Sequence, residues 1–315
     1  MNNRIQNLYT KLEHEIDRFQ NNHTQLPRIQ DARYKDALIK QIISSIRRIE
    51  FIYVIQKRNI SPLRSDPNNE LFDPIRASII KKKNDIEESY WLVFLATHFG
   101  KNKDTGWRLL RDIYGAYGSG NHWTWARISN NPNDFTSWLS LNYRTLLSDG
   151  IARKFGNHRK YESYNPNSHR SLFTVFESYV DWVGINKSHI SLLKNAEQNV
   201  GNNPEDLFGY LYDSMSKVLS FGRTAKFDYL TMLFKLGIAN IYPRIAYIRG
   251  STGPRRGANL LFGGNINSNI DTTVLENNVY ELGANLTIGN LRMQVLEDAL
   301  CNWQKSPDRF VLYRG

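Results

Sequence analysis

At 315 residues the chain is long enough for one large helical domain or two compact lobes, and too long for a small domain that depends on staples. Forty-one lysines and arginines against 30 acidic residues leave a formal charge of +11, which selects a polyanionic partner, either nucleic acid or an anionic membrane surface. The single cysteine, Cys301, excludes an internal disulfide, a four-cysteine iron–sulfur cluster and a cysteine-rich zinc site.

In chain order, Ile5, Leu8, Tyr9, Leu12, Ile16 and Phe19 recur at helical spacing, as do Leu38, Ile39, Ile42, Ile43, Ile46, Ile49 and Ile52. This pair predicts an N-terminal helical cap over residues 1–75. Ser61-Pro62, Asp66-Pro67 and Asp73-Pro74 then break the chain and mark its boundary with a helical domain over 76–315. Asp85 is a predicted N-cap for a helix running to Phe99, and Trp107–Tyr117 reads as the next. The most apolar stretch, Trp91–Ala96, is far short of the ~20 residues that span a bilayer, so no membrane partner is expected. With no apolar signal region after Met1, the expected location is the cytoplasm. Ser119–Asp134 and Phe155–Arg170 read as long loops rich in Gly, Asn, His and aromatic residues, and Phe135–Ala152 and Leu172–Val183 as helices. Further helices are expected over Leu207–Leu219, Lys226–Leu236, from Pro254 or Arg255 to Phe262, and Leu291–Trp303. Alternating strand patterns are scarce, so the fold class is all-α or nearly so.

The chemistry concentrates between Gly250 and Val274. A small-residue turn enters a helix through Pro254, Arg255 and Arg256, so that backbone N–H groups and a positive helix end can receive a phosphate. That helix stops at Gly263-Gly264, and the chain returns to a carboxylate, Asp271, ahead of a new apolar run. Arg255-Arg256-Gly257-Ala258-Asn259-Leu260-Leu261 and Ile270-Asp271-Thr272 resemble the helix-hairpin-helix DNA glycosylase superfamily, although of its Gly-rich hairpin only Gly253 is matched and the loop before Asp271 is short. The resemblance implies a helix-hairpin-helix glycosylase-like fold behind an N-terminal helical extension, with Asp271 as catalytic carboxylate. Strand-cutting relatives place a nucleophilic lysine where Arg256 stands, so it further implies a monofunctional enzyme. From the residues alone Asp271 reads equally as a helix N-cap and Arg255 and Arg256 as surface charges.

A second resemblance spans most of the chain. Phe94-Leu-Ala-Thr-His-Phe-Gly-Lys, Gly106-Trp-Arg-Leu-Leu-Arg-Asp-Ile-Tyr-Gly, Phe155-Gly-Asn-His-Arg-Lys-Tyr-Glu-Ser, Phe221-Gly-Arg-Thr-Ala-Lys-Phe-Asp-Tyr-Leu and Met293-Gln-Val-Leu-Glu-Asp-Ala-Leu-Cys-Asn-Trp are similar to the family called alpha-glutamyl/putrescinyl thymine pyrophosphorylase, clade 3. The resemblance implies a partner in phage DNA with modified bases. It implies either excision of a bulky base such as glucosylated hydroxymethylcytosine, in antiphage defence, or handling of pyrophosphorylated hydroxymethyluracil. The absence of a phosphate-transfer metal motif favours the first. A noncatalytic reader of modified DNA is the alternative from another class.

Other candidates follow from residue type. His122, Trp123 and Trp125, with His158, Arg159 and Tyr161, mix aromatic and polar groups as a base or sugar pocket does, or as ordinary packed loops do. Arg223 and Lys226 beside Gly222 form a candidate phosphate-binding turn, in which Lys226 is also the alternative amine nucleophile. Asp228 is the second-choice carboxylate; Glu297 and Asp298, adjacent on a helix, diverge too far to cooperate. His98 and the other histidines lack metal-ligand spacing, so neither metal nor cofactor is expected. Lys81-Lys82-Lys83 reads as a solvated face and Cys301 as a buried small residue.

Overall fold

The computed structural model describes residues 3–156, 159 and 162–313, and these are all-α, with no strand beyond two isolated bridges. In chain order the helices are α1 (Asn3–Asn22), α2 (Ala32–Gln56), α3 (Pro74–Lys81), α4 (Ile86–Phe99), α5 (Arg108–Tyr114), α6 (Trp125–Asn130) and α7 (Pro132–Ser148). They continue as α8 (Leu172–Val183), α9 (His189–Val200), α10 (Pro204–Ser214), α11 (Arg223–Lys235), α12 (Gly253–Gly263), α13 (Thr272–Asn285) and α14 (Arg292–Trp303). Asp73 and Asp85 cap α3 and α4 through their carboxylates, as an Asp before a helical run should. Three expected helices run too far: those ending at Tyr117, Ala152 and Leu219 stop at Tyr114, Ser148 and Ser214. Three helices were not expected, of which α3 directly follows the Asp73-Pro74 break. α6 lies inside the stretch expected as the loop Ser119–Asp134, and α9 carries little apolar periodicity.

The chain forms two compact units, one of residues 1–54 with 242–315 and one of residues 55–241. These units divide the chain at places other than the expected 75/76. The apolar stripes of α1 and α2 are buried in one core with those of α12, α13 and α14, whereas the proline-punctuated stretch belongs to the other unit.

In the first unit, Leu12, Ile16 and Phe19 of α1 share the core with Leu275, Val279 and Leu282 of α13. The buried Glu15 carboxylate accepts the Thr287 backbone N–H at 3.0 Å, tying α1 to the turn after α13. α12 and α14 cross in backbone contact: a Cβ on Gly257 would lie 2.3 Å from the Leu300 carbonyl oxygen, and one on Gly253 would lie 2.5 Å from Cys301 Sγ. The two glycines stand four residues apart, on one helical face, and only their missing side chains allow this approach. Cys301, expected to be buried, is half-buried on this seam.

In the second unit, eleven of the fourteen α4 residues are buried, too many for a helix with one apolar face, so α4 runs through the core. Ser78 of α3 and Ser89 of α4 bring their hydroxyls within 2.7 Å, and each also donates to the other's backbone carbonyl. Phe94 stacks on Tyr179 with ring centroids 3.7 Å apart, and Trp91, Phe176 and Phe221 fill the space around them. Lys82, expected on a solvated face, turns its ammonium to the Leu236 carbonyl at 2.6 Å and so closes the end of α11.

Two adjacent glutamates at the start of α4 reach into this core. Glu88 is 1 % exposed and accepts hydrogen bonds from Tyr114 Oη and from the backbone N–H of Trp125, both at 2.6 Å. The second bond serves the first turn of α6, whose N-cap Thr124 offers no side-chain bond. Glu87 does the same for α9, accepting from Ser188 Oγ, from the His189 backbone N–H and from His189 Nδ1 at 2.8, 2.8 and 2.5 Å. With the imidazole donating from Nδ1, His189 Nε2 accepts from Tyr179 Oη at 2.7 Å, and Tyr179 accepts in turn from Tyr229 Oη at 2.7 Å.

Burial pushes the Glu88 carboxyl up to about 7 against its two hydrogen bonds. Burial also opposes ionisation of Glu87, but the hydrogen bonds and charge of His189 outweigh it and hold that carboxyl at about 2. The two groups therefore act on stability in opposite pH windows. Glu88, raised in the fold, contributes fully below the usual 4.5 and loses that contribution as pH climbs through about 7. Glu87, depressed in the fold, contributes above 4.5 and loses its contribution as pH falls toward about 2; burial pushes His189 down, so its protonation adds to the acid loss.

Two predictions follow from this packing. Urea denaturation of wild type between pH 4.5 and 7 is expected to show a loss on the order of 1–3 kcal/mol that Glu88→Gln abolishes. Parallel pH profiles for the two proteins would show that folding leaves the Glu88 pKa where the unfolded chain has it. Gly257→Ala is expected to destabilise by about 1–3 kcal/mol or to prevent folding, while Gly222→Ala, whose Cβ meets open space, changes the thermal midpoint little.

Candidate functional site

The basic surface of the first unit is built around the entry to α12. The segment before it turns at Tyr247 and Gly250, with φ of 51° and 75°, and is anchored where Glu276 of α13 accepts the Ile248 N–H at 2.7 Å. The turn leaves Arg244 and Arg249 exposed, and Arg255 and Arg256 are exposed in the first turn of α12. The N-cap Thr252 makes no side-chain bond to that turn. Four arginines over 13 residues thus flank an uncapped helix start, where orphan N–H groups and the helix dipole also favour an anion. Arg244 and Arg249 escaped the sequence reading because the turn-rich piece that carries them has no helical period.

α12 ends at Gly263, and Gly264 takes the left-handed conformation that stops a helix. Asp271 then caps α13, its Oδ1 accepting from the N–H groups of Thr273 and Val274 at 2.8 and 3.3 Å. These backbone bonds hold the exposed carboxyl below the usual carboxylate range. Asp271 is therefore an N-cap and also a solvent-facing anion on a helix packed against the arginine-bearing α12. Gly253 and Gly257, expected to contact DNA, face α14 in the close crossing, and Gly257 is buried there.

The second unit brings together a different set. Arg159 lies against the end of α4, where its Nε donates to the Thr97 carbonyl at 2.9 Å. Its Nη2 stands 4.0 Å from the exposed carboxylate of Asp228. Burial lowers the Arg159 guanidinium and raises the Glu162 carboxyl, each relieved by the opposite charge of the other. Burial, reinforced by Arg159, pushes His98 down to about 3, so its imidazole is neutral. The backbone makes this meeting possible, since a Cβ on Gly156 would lie 2.9 Å from the Gly100 carbonyl carbon. His158 and Tyr161 lie outside the described residues.

The remaining expected residues stand elsewhere in the second unit, some of them in its core. Trp123 and Trp125, expected in a base or sugar pocket, are 1 % and 4 % exposed. The Trp123 carbonyl accepts from Trp91 Nε1 at 2.8 Å, and Trp125 Nε1 donates to the Lys187 carbonyl at 2.9 Å, so both rings are core. His122 is half-buried over Tyr114, and burial lowers its pKa. Lys226, expected on a phosphate, points inward: its ammonium donates to Ser216 Oγ at 2.9 Å and lies 4.1 Å from the Tyr212 ring centre. Arg223 stays half-exposed on the first turn of α11, its guanidinium 5.3 Å from the Phe227 ring centre. Asp298 is held by Arg48. Among the described residues no cluster of three or more His, Cys, Asp or Glu could hold a metal ion, and no helix is long and apolar enough to cross a membrane.

The segments that meet around Arg159 include three of the stretches that carry the wider family resemblance, and a family comparison decides the matter. The profile described as alpha-glutamyl/putrescinyl thymine pyrophosphorylase clade 3 matches residues 33–315. The chain belongs to this family. The family's description names a modified thymine, and the match spans both compact units. No curated protein and no solved structure matches the chain.

The arginine surface makes a measurable prediction. Replacing Arg255 and Arg256 together by Ala is expected to weaken duplex DNA binding regardless of sequence, and to flatten the plot of log affinity against log salt by up to about two phosphate contacts. Extending the change to Arg244 and Arg249 should flatten it further. An unchanged slope would place the DNA elsewhere.

Proposed function

We propose that this protein is a monofunctional DNA glycosylase that removes bulky modified bases, such as glucosylated hydroxymethylcytosine, from phage DNA in antiphage defence. The observation that carries this reading is Asp271, an exposed, ionised carboxylate on the helix next to the arginine-lined start of α12. Cleavage of a glycosidic bond develops positive charge on the deoxyribose, and an anion beside C1′ stabilises it. The backbone bonds that keep Asp271 ionised also make it a weak base. Its role is therefore to stabilise charge and orient water rather than to strip a proton from it.

Arg256 cannot supply the amine for a Schiff base, and Lys226, the other amine considered, is turned into the protein. Water is then the acceptor. The product is a free base and an intact strand with an abasic site, nicked only after alkali or an abasic-site endonuclease. Asp271→Asn should lower excision by two or more orders of magnitude while duplex affinity stays within a few-fold. Excision by wild type should show no acid limb within the usual carboxylate range. Full activity of Asp271→Asn, or an efficient borohydride-trapped adduct in wild type, would remove this assignment.

The second unit supports a second reading. Arg159, Asp228 and Glu162 gather charges of both signs at a surface formed by family-resembling segments, as a site that modifies a base would. In this reading an amine attacks the exocyclic methylene carbon of pyrophosphorylated hydroxymethyluracil, so that a C–N bond forms as the C–O bond breaks and pyrophosphate leaves, in keeping with the family's description. Mass analysis of DNA after incubation separates the two, because a decorated base replaces the abasic site.

A further inference from the structure

A groove of about 670 Å³ opens in the first unit between α2 and the chain that follows α14. Its floor and walls are Ile5, Ile43, Phe51, Phe310, Leu312 and Tyr313. Residues 40, 43, 44, 47, 48 and 51 of α2 all line it, the spacing of one helical face over roughly 16 Å. The opposite wall is held in place: Gln41 Nε2 donates to the Val311 carbonyl at 2.8 Å, Tyr313 Oη lies 3.0 Å from Ser306 Oγ, and Lys305 Nζ sits 4.6 Å from the Tyr313 ring centre.

Phe51, Phe310 and Leu312 remain 56 %, 38 % and 54 % exposed, an apolar concentration that a soluble surface does not keep without use. The rim is cationic, formed by Lys40, Arg47 and Arg48, and among the described residues no acidic side chain lines the groove. Lys40 is paired with Asp36 at 2.7 Å and Arg48 with Asp298, whereas Arg47 is exposed and makes no ion pair among the described residues.

We propose that this groove binds an unpaired DNA strand, with bases stacked on Phe51, Phe310 and Tyr313 and a phosphate at Arg47. Flat rings beside a guanidinium suit such a strand, since every base offers a π face and every linkage an anion. Asp36 and Asp298 take up Lys40 and Arg48, which leaves Arg47 as the rim cation open to a phosphate. An acidic amphipathic peptide would meet the same charge and apolar floor, and competition between the two ligands separates them. This inference stands on the groove alone and does not depend on excision at Asp271.

The test uses the whole chain and a fluorescein-labelled, unmodified oligothymidylate, which carries no base to excise, alongside a duplex of equal length. Phe51→Ala, at an exposed position, should weaken single-strand binding about ten- to a hundred-fold and leave duplex affinity unchanged. Arg47→Ala should reduce the salt slope for the single strand by about 0.7, the share of one phosphate. A strand carrying 5-iododeoxyuridine should crosslink under ultraviolet light to peptides containing Phe51, Phe310 or Tyr313. Asp271→Asn should bind the strand as wild type does, so loss of the glycosylase reading would leave these results intact. Equal single-strand affinity of wild type and Phe51→Ala, crosslinks confined to other peptides, or displacement of the strand by an acidic helical peptide more readily than by unlabelled strand would overturn the proposal.

Discussion

Two carboxylates at the start of α4 organise the second unit. Glu87 and Glu88 point to different neighbours, and each satisfies the orphan N–H groups of a helix that begins elsewhere in the chain, α9 and α6. Burying an acid is costly, and here the cost is offset by hydrogen bonds from Tyr114, Trp125, Ser188 and His189. A truncation at Glu88 would leave both the Tyr114 hydroxyl and the Trp125 N–H without their acceptor, at about 1–3 kcal/mol for each group. The polar chain through His189, Tyr179 and Tyr229 extends the same arrangement into the aromatic core, so α4, α8, α9 and α11 are registered by directional bonds as well as by shape.

The first unit relies on the opposite device, the absence of side chains. Gly253 and Gly257 let α12 lie against α14, and that contact turns the other face of α12, with Arg255 and Arg256, to solvent. Here the same helix face cannot both pack and bind. The Gly-rich signature that suggests close approach to a phosphate is used for close approach to a helix, while the arginines between the glycines carry the positive surface. Asp271 shows a similar economy, because the bonds that cap α13 are the ones that keep its carboxylate charged.

Much of the helical plan was legible. Leu172–Val183 begins and ends where the sequence predicts, and Asp85 and Asp271 each mark a helix start through a local side-chain bond, whereas Asp73, read as a chain break, proves to cap α3. Two of the helices that escaped, α6 and α9, have first turns that lean on a distant carboxylate, although Ser188 also caps α9. α6 has no capping side chain of its own, and a window of sequence around Trp125 holds no sign of Glu88. Lys226 and the tryptophans of the 119–134 stretch misled for a related reason. Lysine and tryptophan in a polar, glycine-bearing segment look accessible, yet Ser216, Tyr212, Trp91 and Lys187 supply partners that draw them inside.

The candidate site divides along the same line. The sequence alone determined the all-α class, the net positive charge, the arginine pair before Gly257 and the carboxylate at Asp271, because each is a property of neighbouring residues or of composition. Tertiary structure alone decided that the N-terminal helices share a core with α12–α14, and that Asp228 of α11 comes to the segment carrying Arg159 and Glu162. It also decided which of two adjacent glutamates stays ionised. The physical reason is that burial, hydrogen-bond partners and backbone approach are set by residues tens or hundreds of positions away, where no local period or motif records them.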